Sequence, residues 1–220
     1  MTGNNTNWLK TTEGSVLLME GATDCHVTAS LCQACKVSDD LFGFYNCEGD
    51  ERLFQRLALL LKNRTTSPPT LGVVVDADAP NLEAKWQRLT SVLQQQAFGY
   101  LLPAKPDPKG TIIDAPEPDL PRIGIWFMPD NQIDGMLEDF CLTLVPEAAL
   151  TQTETFLEQA KRQGFANFKA VHHSKAKVHT WLGTQDEPGT PLGQAITKKI
   201  LEPNTQLAKT YIAWIKRVFK

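Results

Sequence analysis

An unbroken apolar run over residues 70–75 (TLGVVV) constrains the fold more than any other feature of this sequence. Runs rich in β-branched residues are typical of a strand in the middle of a parallel sheet, where helices cover both faces. Two prolines precede the run, and an acidic tripeptide over residues 76–78 (DAD) follows it. The chain therefore needs further strands beside this one and helices above and below it.

Strand and helix patterns alternate around this run. Short apolar runs predict strands over residues 15–19, 42–47, 111–114 and 123–128. Helical spacing of apolar residues predicts helices over residues 25–36, 50–61, 81–96 and 134–144. Thr23 or Asp24 is expected to cap the first of these helices. Strands separated by helices predict an α/β fold with a mainly parallel sheet and right-handed crossovers.

The last third of the chain is predicted to be helical and basic. Helices are expected over residues 151–163, 175–183, 191–201 and 205–219. Residues 161–220 hold 11 basic and 3 acidic side chains, whereas residues 1–160 hold 11 basic and 22 acidic ones. A basic part can bind polyanions and an acidic part metal ions, although two such faces can also attract each other within the fold. We predict one domain, in which an α/β core over residues 14–145 carries a helical extension over residues 146–220.

The sequence also predicts where the protein resides. No apolar stretch approaches the ~20 residues that cross a bilayer, and the polar start, residues 1–10 (MTGNNTNWLK), lacks a secretory signal. Five cysteines, an odd number, are typical of reduced thiols. The Cys32-x-x-Cys35 pair falls inside a predicted helix, which favours buried thiols over a zinc knuckle. We expect a cytoplasmic protein with no membrane segment and no structural disulfide.

Carboxylates close three of the predicted strands. Glu20 follows the first strand, and Asp76 and Asp78 follow the central run. Asp130 follows the strand predicted over residues 123–128. Ligands of open α/β sheets bind beyond the carboxyl ends of the strands, and carboxylates gathered there repel one another unless Mg²⁺ or Mn²⁺ neutralises them. The pattern predicts a metal site, although any one of these residues alone is more typical of a turn or a helix cap.

The order of these motifs resembles the Toprim domain. A strand ending in Glu-Gly-x-x-Asp (Glu20, Gly21, Asp24), a helix, and a later strand ending in Asp-x-Asp are similar to this metal-binding module of topoisomerases, bacterial primases, recombination mediators and overcoming-lysogenization-defect nucleases. This similarity covers about residues 14–140 and implies a Toprim-like, Rossmann-like core. Three further segments resemble a small bacterial family of Toprim-related proteins without an established activity: residues 128–139 (MPDNQIDGMLED), 175–181 (KAKVHTW) and 185–195 (QDEPGTPLGQA).

The resemblance implies roles for particular residues. The expected site comprises two catalytic groups, Glu20 and Lys177, and four metal ligands, Asp76, Asp78, Asp130 and Glu138. Glu20 is implied as a general acid/base or a metal ligand, and the nuclease-like branch implies a downstream lysine at Lys177. Asp139 and Lys175 lie beside two of these residues and are weaker candidates.

The predicted function is a metal-dependent nuclease or a related enzyme that acts on phosphodiesters. Mg²⁺ or Mn²⁺ held by the carboxylates would activate water and stabilise the leaving oxygen, and Lys177 would neutralise the developing charge. The basic last third would bind the backbone of its partner, DNA or RNA.

Two other functions stay open. One is a non-catalytic Toprim-fold binding or regulatory subunit of a nucleic-acid-processing or defence complex, which the net charge of -3 favours. The other is a phosphoryl-transfer enzyme for a small phosphorylated metabolite. The sequence contains no ATPase domain, primase zinc ribbon or topoisomerase tyrosine domain, so a protein partner or a homo-oligomer is expected to complete the activity.

Overall fold

The computed structural model describes residues 14–65, 67–78, 80–97 and 99–220. These residues form a five-stranded sheet that lies between two layers of helices. The strands are β1 (Val16–Met19), β2 (Gly43–Asn46), β3 (Thr70–Asp76), β4 (Thr111–Ile113) and β5 (Arg122–Met128). The helices are α1 (Ala22–Ala34), α2 (Asp50–Lys62), α3 (Leu82–Gln96), α4 (Leu137–Leu142), α5 (Glu147–Arg162), α6 (His173–Leu182), α7 (Leu192–Thr197) and α8 (Gln206–Val218).

The sheet has the order β2-β1-β3-β5-β4, and all strands are parallel except β4, which pairs antiparallel with β5. The prediction of an α/β fold with a mainly parallel sheet is therefore confirmed. Strand β1 pairs with β2 on one side and with β3 on the other. The carboxyl ends of β1 and β3 thus border a topological switch point, which is where open α/β sheets bind ligands.

The central strand β3 is covered on both faces, as its sequence predicts, and residues 71–75 are all buried. Leu71, Val73 and Val75 belong to the core that the sheet shares with α2 and α3. Val74 belongs to the opposite core, which the sheet shares with α1, α4, α6, α7 and α8. The alternation follows from strand geometry, because successive side chains point to opposite faces.

Two glycines on neighbouring strands make room for the end of α8. Gly72 of β3 and Gly124 of β5 are register partners. A Cβ atom at Gly72 would lie 2.7 Å from Cζ of Phe219, and one at Gly124 would lie 2.7 Å from Cγ1 of Val218. Because these distances are shorter than van der Waals contact, only glycine allows the helix to approach the sheet this closely.

The C-terminal helices share their core with the sheet. The indole Nε1 of Trp214, in α8, donates a hydrogen bond to the carbonyl of Thr111 in β4 at 3.2 Å. Nη1 of Arg122, in β5, donates to the carbonyl of Arg217 at 2.8 Å across 95 residues of sequence. The basic extension is therefore packed onto the α/β core.

Helix α1 begins earlier than predicted. Its first residue is Ala22, and Gly21 occupies the N-cap position without a side-chain hydrogen bond to the helix. The prediction that Thr23 or Asp24 caps this helix is therefore wrong, since both residues lie within its first turn. Asp24 is also buried, with 8% of its surface exposed, whereas capping residues usually reach toward solvent.

Helix α4 begins later than predicted, at Leu137 rather than at residue 134. The carboxylate of Asp134 accepts a hydrogen bond from the backbone N–H of Leu82 at 2.8 Å, at the start of α3. The backbone of Gly135 pairs with Ala77 through hydrogen bonds of 2.8 and 3.3 Å. These contacts hold residues 134–136 against the end of β3 and so fix where α4 starts.

Two further predictions concern membrane segments and the state of the cysteines. Within the described residues, no helix is both long enough and apolar enough to cross a membrane. All five cysteines are unpaired thiols. Cys32 is buried on α1, as predicted, whereas Cys35 is only partly buried and occupies the C-cap position of that helix.

Candidate functional site

Two carboxylates lie side by side at the switch point. Glu20 directly follows β1, and Asp76 is the last residue of β3. The backbone N–H of Asp76 donates a hydrogen bond to Oε2 of Glu20 at 3.2 Å. Because β1 and β3 are adjacent and parallel, the sheet brings these two predicted site residues to the same edge.

The side chain of Asp76 points to the face of the sheet where α1 and α4 lie. Val75 and Ala77 belong to the opposite core, shared with α2 and α3, and side chains alternate along a strand. The backbone N–H of Leu137, the first residue of α4, donates to Oδ1 of Asp76 at 2.9 Å. The next residue of that helix, Glu138, is buried with 7% of its surface exposed.

Helix α1 supplies a further carboxylate, that of Asp24. Its Oδ1 atom is buried and has no hydrogen-bond partner among the described residues. A Cβ atom at Gly21 would lie 2.9 Å from Oδ2 of Asp24, so glycine at that position leaves space for the carboxylate. A buried, unpaired carboxylate oxygen is costly unless a proton or a cation satisfies it.

Five carboxyl groups interact electrostatically and are here called the acidic cluster: Glu20, Asp24, Asp76, Asp78 and Glu138. Burial, followed by the charges of the other four members, raises the pKa of Asp76 to about 9. Burial, followed by the charges of Glu20 and Glu138, raises the pKa of Asp24 to about 7. The cluster therefore holds protons near neutral pH when no cation is bound.

Two lysines approach the acidic cluster from different helices. Nζ of Lys175, in α6, lies 3.1 Å from Oε1 of Glu138, and this lysine side chain is half exposed. Lys85, in α3, is buried, and its Nζ lies 2.8 Å from Oδ2 of Asp50, the first residue of α2. Burial raises the pKa of Glu20, while the N–H of Asp76 and the charge of Lys85 lower it.

The structure does not bring Asp130 or Lys177 into the acidic cluster. Oδ1 of Asp130 accepts hydrogen bonds from the N–H groups of Gln132 and Ile133 at 2.9 and 3.1 Å, so this carboxylate stabilises its own turn. Nζ of Lys177 lies 2.7 Å from Oε2 of Glu154 in α5. The other predicted site residues, Glu20, Asp76, Asp78 and Glu138, do come together.

Glu154 forms a separate group with a lysine and a histidine. Nε2 of His173 lies 3.0 Å from this carboxylate, which Lys177 also contacts. The hydrogen bond from Lys177 lowers the pKa of Glu154 most; burial opposes it, and the hydrogen bond from His173 lowers the pKa further. We call these three residues the α5–α6 ion group.

Asp139 contributes to local structure rather than to the acidic cluster. Its Oδ2 accepts the N–H of Met136 at 2.9 Å, and its Oδ1 accepts the hydroxyl of Ser174. These bonds cap α4 and connect it to α6. Both Glu138 and Lys175 are positioned by this connection.

The sequence assigns no site role to Asp24 or Lys85; Asp24 enters it only as a cap candidate and as part of the Glu-Gly-x-x-Asp motif. The signal for Asp24 is the glycine at position 21, which makes room for an inward carboxylate rather than for a cap. The signal for Lys85 is its place on the apolar stripe of α3, beside Leu82, Trp86 and Leu89, where a cation is unusual. The register of α6 along the α4 surface, which brings Lys175 rather than Lys177 to Glu138, has no such signal.

As they stand, no three His, Cys, Asp or Glu side chains in the described part of the chain are arranged to hold a metal ion. One oxygen each of Glu20, Asp76 and Glu138 is engaged, by Asp76 N–H, by Leu137 N–H and by Lys175 respectively. When no cation lies between them, neighbouring carboxylates repel one another, and this repulsion favours hydrogen bonds and ion pairs with groups outside the cluster. The carboxylate oxygens of the cluster nevertheless fit Mg²⁺ or Mn²⁺, which prefer such ligands. A cation or a proton would satisfy the unpaired Oδ1 of Asp24.

Helix α6 connects the acidic cluster to a basic surface. Residues 159–185, here called the basic segment, contain no Asp or Glu. Lys161, Arg162 and Lys169 of this segment are exposed, and Phe165 is 81% exposed. Nζ of Lys161 lies 4.1 Å from the ring centroid of Phe168. Exposed cations and an exposed aromatic ring therefore follow one another along the segment that contains Lys175.

A half-open cavity of about 790 Å³ lies elsewhere, between α1 and β2. Its lining residues include His26, Gln33 and Phe42 but no member of the acidic cluster. This cavity therefore gives no support for an enclosed small-molecule site around the carboxylates.

Comparison with known proteins gives one family. The sequence profile that matches residues 14–220 is described as "Protein of unknown function (DUF3226)". Neither the curated proteins nor the solved structures give a match.

Proposed function

Because the match spans residues 14–220, this chain belongs to that family, whose description states no activity, and we propose that it is a Toprim-type, metal-dependent phosphodiester hydrolase of nucleic acids. The cation would be Mg²⁺ or Mn²⁺, bound by the acidic cluster. The order of the parts supports the Toprim assignment: the Glu-Gly-x-x-Asp motif after β1 and the Asp-x-Asp motif after β3 lie at neighbouring strand ends.

The observation that carries the proposal is the buried Oδ1 of Asp24, which has no hydrogen-bond partner in the described ranges. Burial, followed by the charges of neighbouring carboxylates, raises the pKa of Asp24. Buried carboxylate oxygens usually have a hydrogen-bond partner, and this one has none. A divalent cation would satisfy the oxygen and remove the repulsion within the cluster in a single step.

Each member of the cluster has a role in this proposal. Asp24, Asp76 and Glu138 would hold the cation on the α1–α4 side of the sheet, with Asp78 beside them. A cation bound there would lower the pKa of a water molecule and polarise a phosphoryl oxygen. Glu20 would exchange the proton, because it lies beside Asp76 and burial raises its pKa above the usual value of a glutamate.

The lysine that neutralises phosphoryl charge would be Lys175. Its Nζ lies 3.1 Å from a cluster carboxylate and its side chain is half exposed, so it can turn toward a bound phosphate. Lys177, which the sequence favoured for this role, is occupied by Glu154. The two lysines are separated by two positions on one helix and therefore face different directions.

Nucleic acid is the proposed substrate because of the charge of the basic segment. Its cations would bind phosphates of the backbone, and the exposed ring of Phe165 would provide a stacking surface for a base. Cation contacts of this kind make affinity fall steeply as salt rises. We propose the cytoplasm as the compartment and allow for a protein partner or a second copy of the chain.

The test combines metal binding and cleavage on the same samples. Calorimetry with Mn²⁺ is run on the wild type, on Asp76→Asn/Asp78→Asn, and on Glu154→Gln, a matched carboxylate-to-amide control in the α5–α6 ion group. Cleavage of single-stranded and double-stranded DNA and RNA is then measured with Mn²⁺. We expect binding and cleavage in the wild type and the control, and a loss of both in the double variant. No Mn²⁺ binding by the wild type at millimolar concentration would overturn the proposal.

A second candidate function is a non-catalytic Toprim-fold subunit of a nucleic-acid-processing or defence complex. It is favoured by the contact of Lys175 with Glu138 and by the lack of a preformed metal arrangement among the described residues. It predicts salt-sensitive binding of nucleic acid without cleavage of any of the four substrates. The same binding and cleavage assays therefore separate the two functions.

A further inference from the structure

Lys85 is a buried cation next to the acidic cluster. Its side chain is 4% exposed, and its Nζ lies 2.8 Å from Oδ2 of Asp50. Burying an ammonium group is costly, and well-packed hydrophobic side chains of similar volume often replace a buried ion pair without loss of stability. A lysine retained in such a place is a candidate for a role beyond packing.

The residue that precedes the partner of Lys85 is hydrogen-bonded to the backbone of a cluster member. The N–H of Gly49 donates a hydrogen bond to the carbonyl of Glu20 at 2.8 Å, and Asp50 is the next residue. The start of α2, and with it the Asp50–Lys85 pair, is therefore held beside Glu20. The charge of Lys85 acts on Glu20 and lowers its pKa, whereas the charge of Asp50 raises it.

Arg88 provides a comparison on the same helix. Its Nη1 lies 3.6 Å from the same oxygen of Asp50, and its Nη2 lies 2.6 Å from Oε2 of Glu51. Its guanidinium also lies 4.1 Å from the ring centroid of Phe54. Arg88 thus connects α3 to α2 from the more exposed side, and its side chain is 36% exposed.

We infer that Lys85, fixed by Asp50 at the start of α2 beside Glu20, is a positioning residue whose positive charge limits how tightly the acidic cluster binds a divalent cation. This inference rests on the proposed function, because it concerns the same metal site. In this arrangement Lys85 stabilises the carboxylates before the cation arrives. The negative charge of Asp50 partly offsets the positive charge of Lys85, so that the cation can still bind.

The direction in which metal affinity changes when Lys85 is removed separates this role from a structural one. If Lys85 only connects two helices, its removal loosens the site and weakens metal binding. If its charge opposes the incoming cation, its removal strengthens metal binding, because like charges at short range in a protein interior repel strongly. Removal of Asp50 leaves the charge of Lys85 uncompensated and acts in the opposite direction.

The experiment is calorimetry with Mn²⁺ alone at pH 7.5 on the wild type and four variants: Lys85→Met, Lys85→Arg, Asp50→Asn and Arg88→Met. We expect about tenfold tighter binding for Lys85→Met and about tenfold weaker binding for Asp50→Asn. Lys85→Arg keeps the charge and should restore the wild-type affinity. Arg88→Met breaks a similar connection and should leave the affinity unchanged.

The outcomes divide as follows. Binding by Lys85→Met that is weaker than or equal to that of the wild type, with a cooperative thermal transition retained, overturns the inference and leaves the proposed function standing. If Lys85→Met does not fold, an Asp50→Asn affinity equal to that of the wild type overturns it in the same way. No binding by the wild type overturns the inference together with the proposed function.

Discussion

Two groups of carboxylates in this protein differ in how their charge is compensated. In the α5–α6 ion group, one carboxylate, Glu154, has two nitrogen partners within 3.0 Å, those of His173 and Lys177, and its pKa is lowered. In the acidic cluster, the half-exposed Lys175 contacts one of the five carboxyl groups, Glu138, and the pKa values of Glu20, Asp24 and Asp76 are raised.

The difference separates a structural ion pair from a candidate site. The α5–α6 ion group is complete and needs no ligand, whereas the acidic cluster lacks positive charge and leaves a buried oxygen unpaired. Glu138 of the cluster lies on α4 and Glu154 lies on α5, and both helices pack against α6, so a change at Glu154 is a matched control for changes in the cluster. Perturbed carboxylates of this kind are more typical of functional sites than of surface pairs.

The largest expected effect comes from breaking the cluster at Asp24. Asp24→Asn should weaken Mn²⁺ binding by about 100-fold, because an amide removes the negative charge at the oxygen that has no other partner. Calorimetry gives the dissociation constant. Glu154→Gln, the same chemical change in the α5–α6 ion group, should bind Mn²⁺ like the wild type. Equal affinities for Asp24→Asn and the wild type would contradict the comparison.

Metal should stabilise the protein through the cluster. With Mn²⁺ at 100 times its dissociation constant, the free energy of unfolding should rise by about 2.7 kcal/mol. Denaturant titration with Mn²⁺ and with EDTA measures this difference. The gain should disappear in Asp76→Asn/Asp78→Asn and persist in Lys177→Met, and an equal gain in the double variant would place the metal elsewhere.

The pH dependence of stability should have opposite signs for the two groups. The pKa of Asp76 rises from 3.8 to about 9 on folding, so the folded state binds more protons between these values and the free energy of unfolding falls as the pH rises. In EDTA at pH 9, Asp76→Asn should therefore stabilise the protein by roughly 0.5 to 2 kcal/mol. The pKa of Glu154 is lowered, so its contribution is present at neutral pH and is lost in acid.

Denaturant titrations at pH 6 and pH 9, on the wild type and on Asp76→Asn, measure the first of these effects. Glu154→Gln is the control, because it should lose stability at neutral pH rather than gain it at pH 9. A stability difference between Asp76→Asn and the wild type that does not change with pH would show that the pKa of Asp76 is not raised.

The smallest expected effect belongs to Lys177. Lys177→Met should lower the free energy of unfolding by about 0.2 to 1 kcal/mol, as for other partly exposed ion pairs. It should leave Mn²⁺ binding and cleavage unchanged, whereas Lys175→Met should reduce cleavage. Thermal melts and the cleavage assay check both variants, and a loss of cleavage in Lys177→Met alone would return the catalytic role to that residue.

The strands could be predicted closely from local patterns. The run over residues 70–75 is β3 without its last residue, and the strands predicted over residues 15–19 and 123–128 match β1 and β5 within one residue. Their buried faces leave a clear apolar signal. The antiparallel orientation of β4 could not be predicted, because it depends on how the proline-rich loop returns to β5.

The site could be predicted only where a residue ends a strand. Glu20 and Asp76 were found because parallel strands bring their carboxyl ends to one edge. Asp24 and Lys85 lie on helices, and their inward orientation depends on how those helices pack on the sheet. Asp130 also follows a strand but does not join the site, because its carboxylate accepts a hydrogen bond from a backbone N–H of its own turn.

The close fit of α8 over Gly72 and Gly124 has a consequence for how the chain is made. The two glycines lie at the centre of the sheet, and the residues that cover them, Val218 and Phe219, are synthesised long afterward. Until those residues leave the ribosome, one face of β3 and β5 stays open to water and to other nascent chains. Chaperone binding to this face during synthesis should therefore end only when α8 emerges, because partly folded chains with exposed apolar sheets are prone to aggregate.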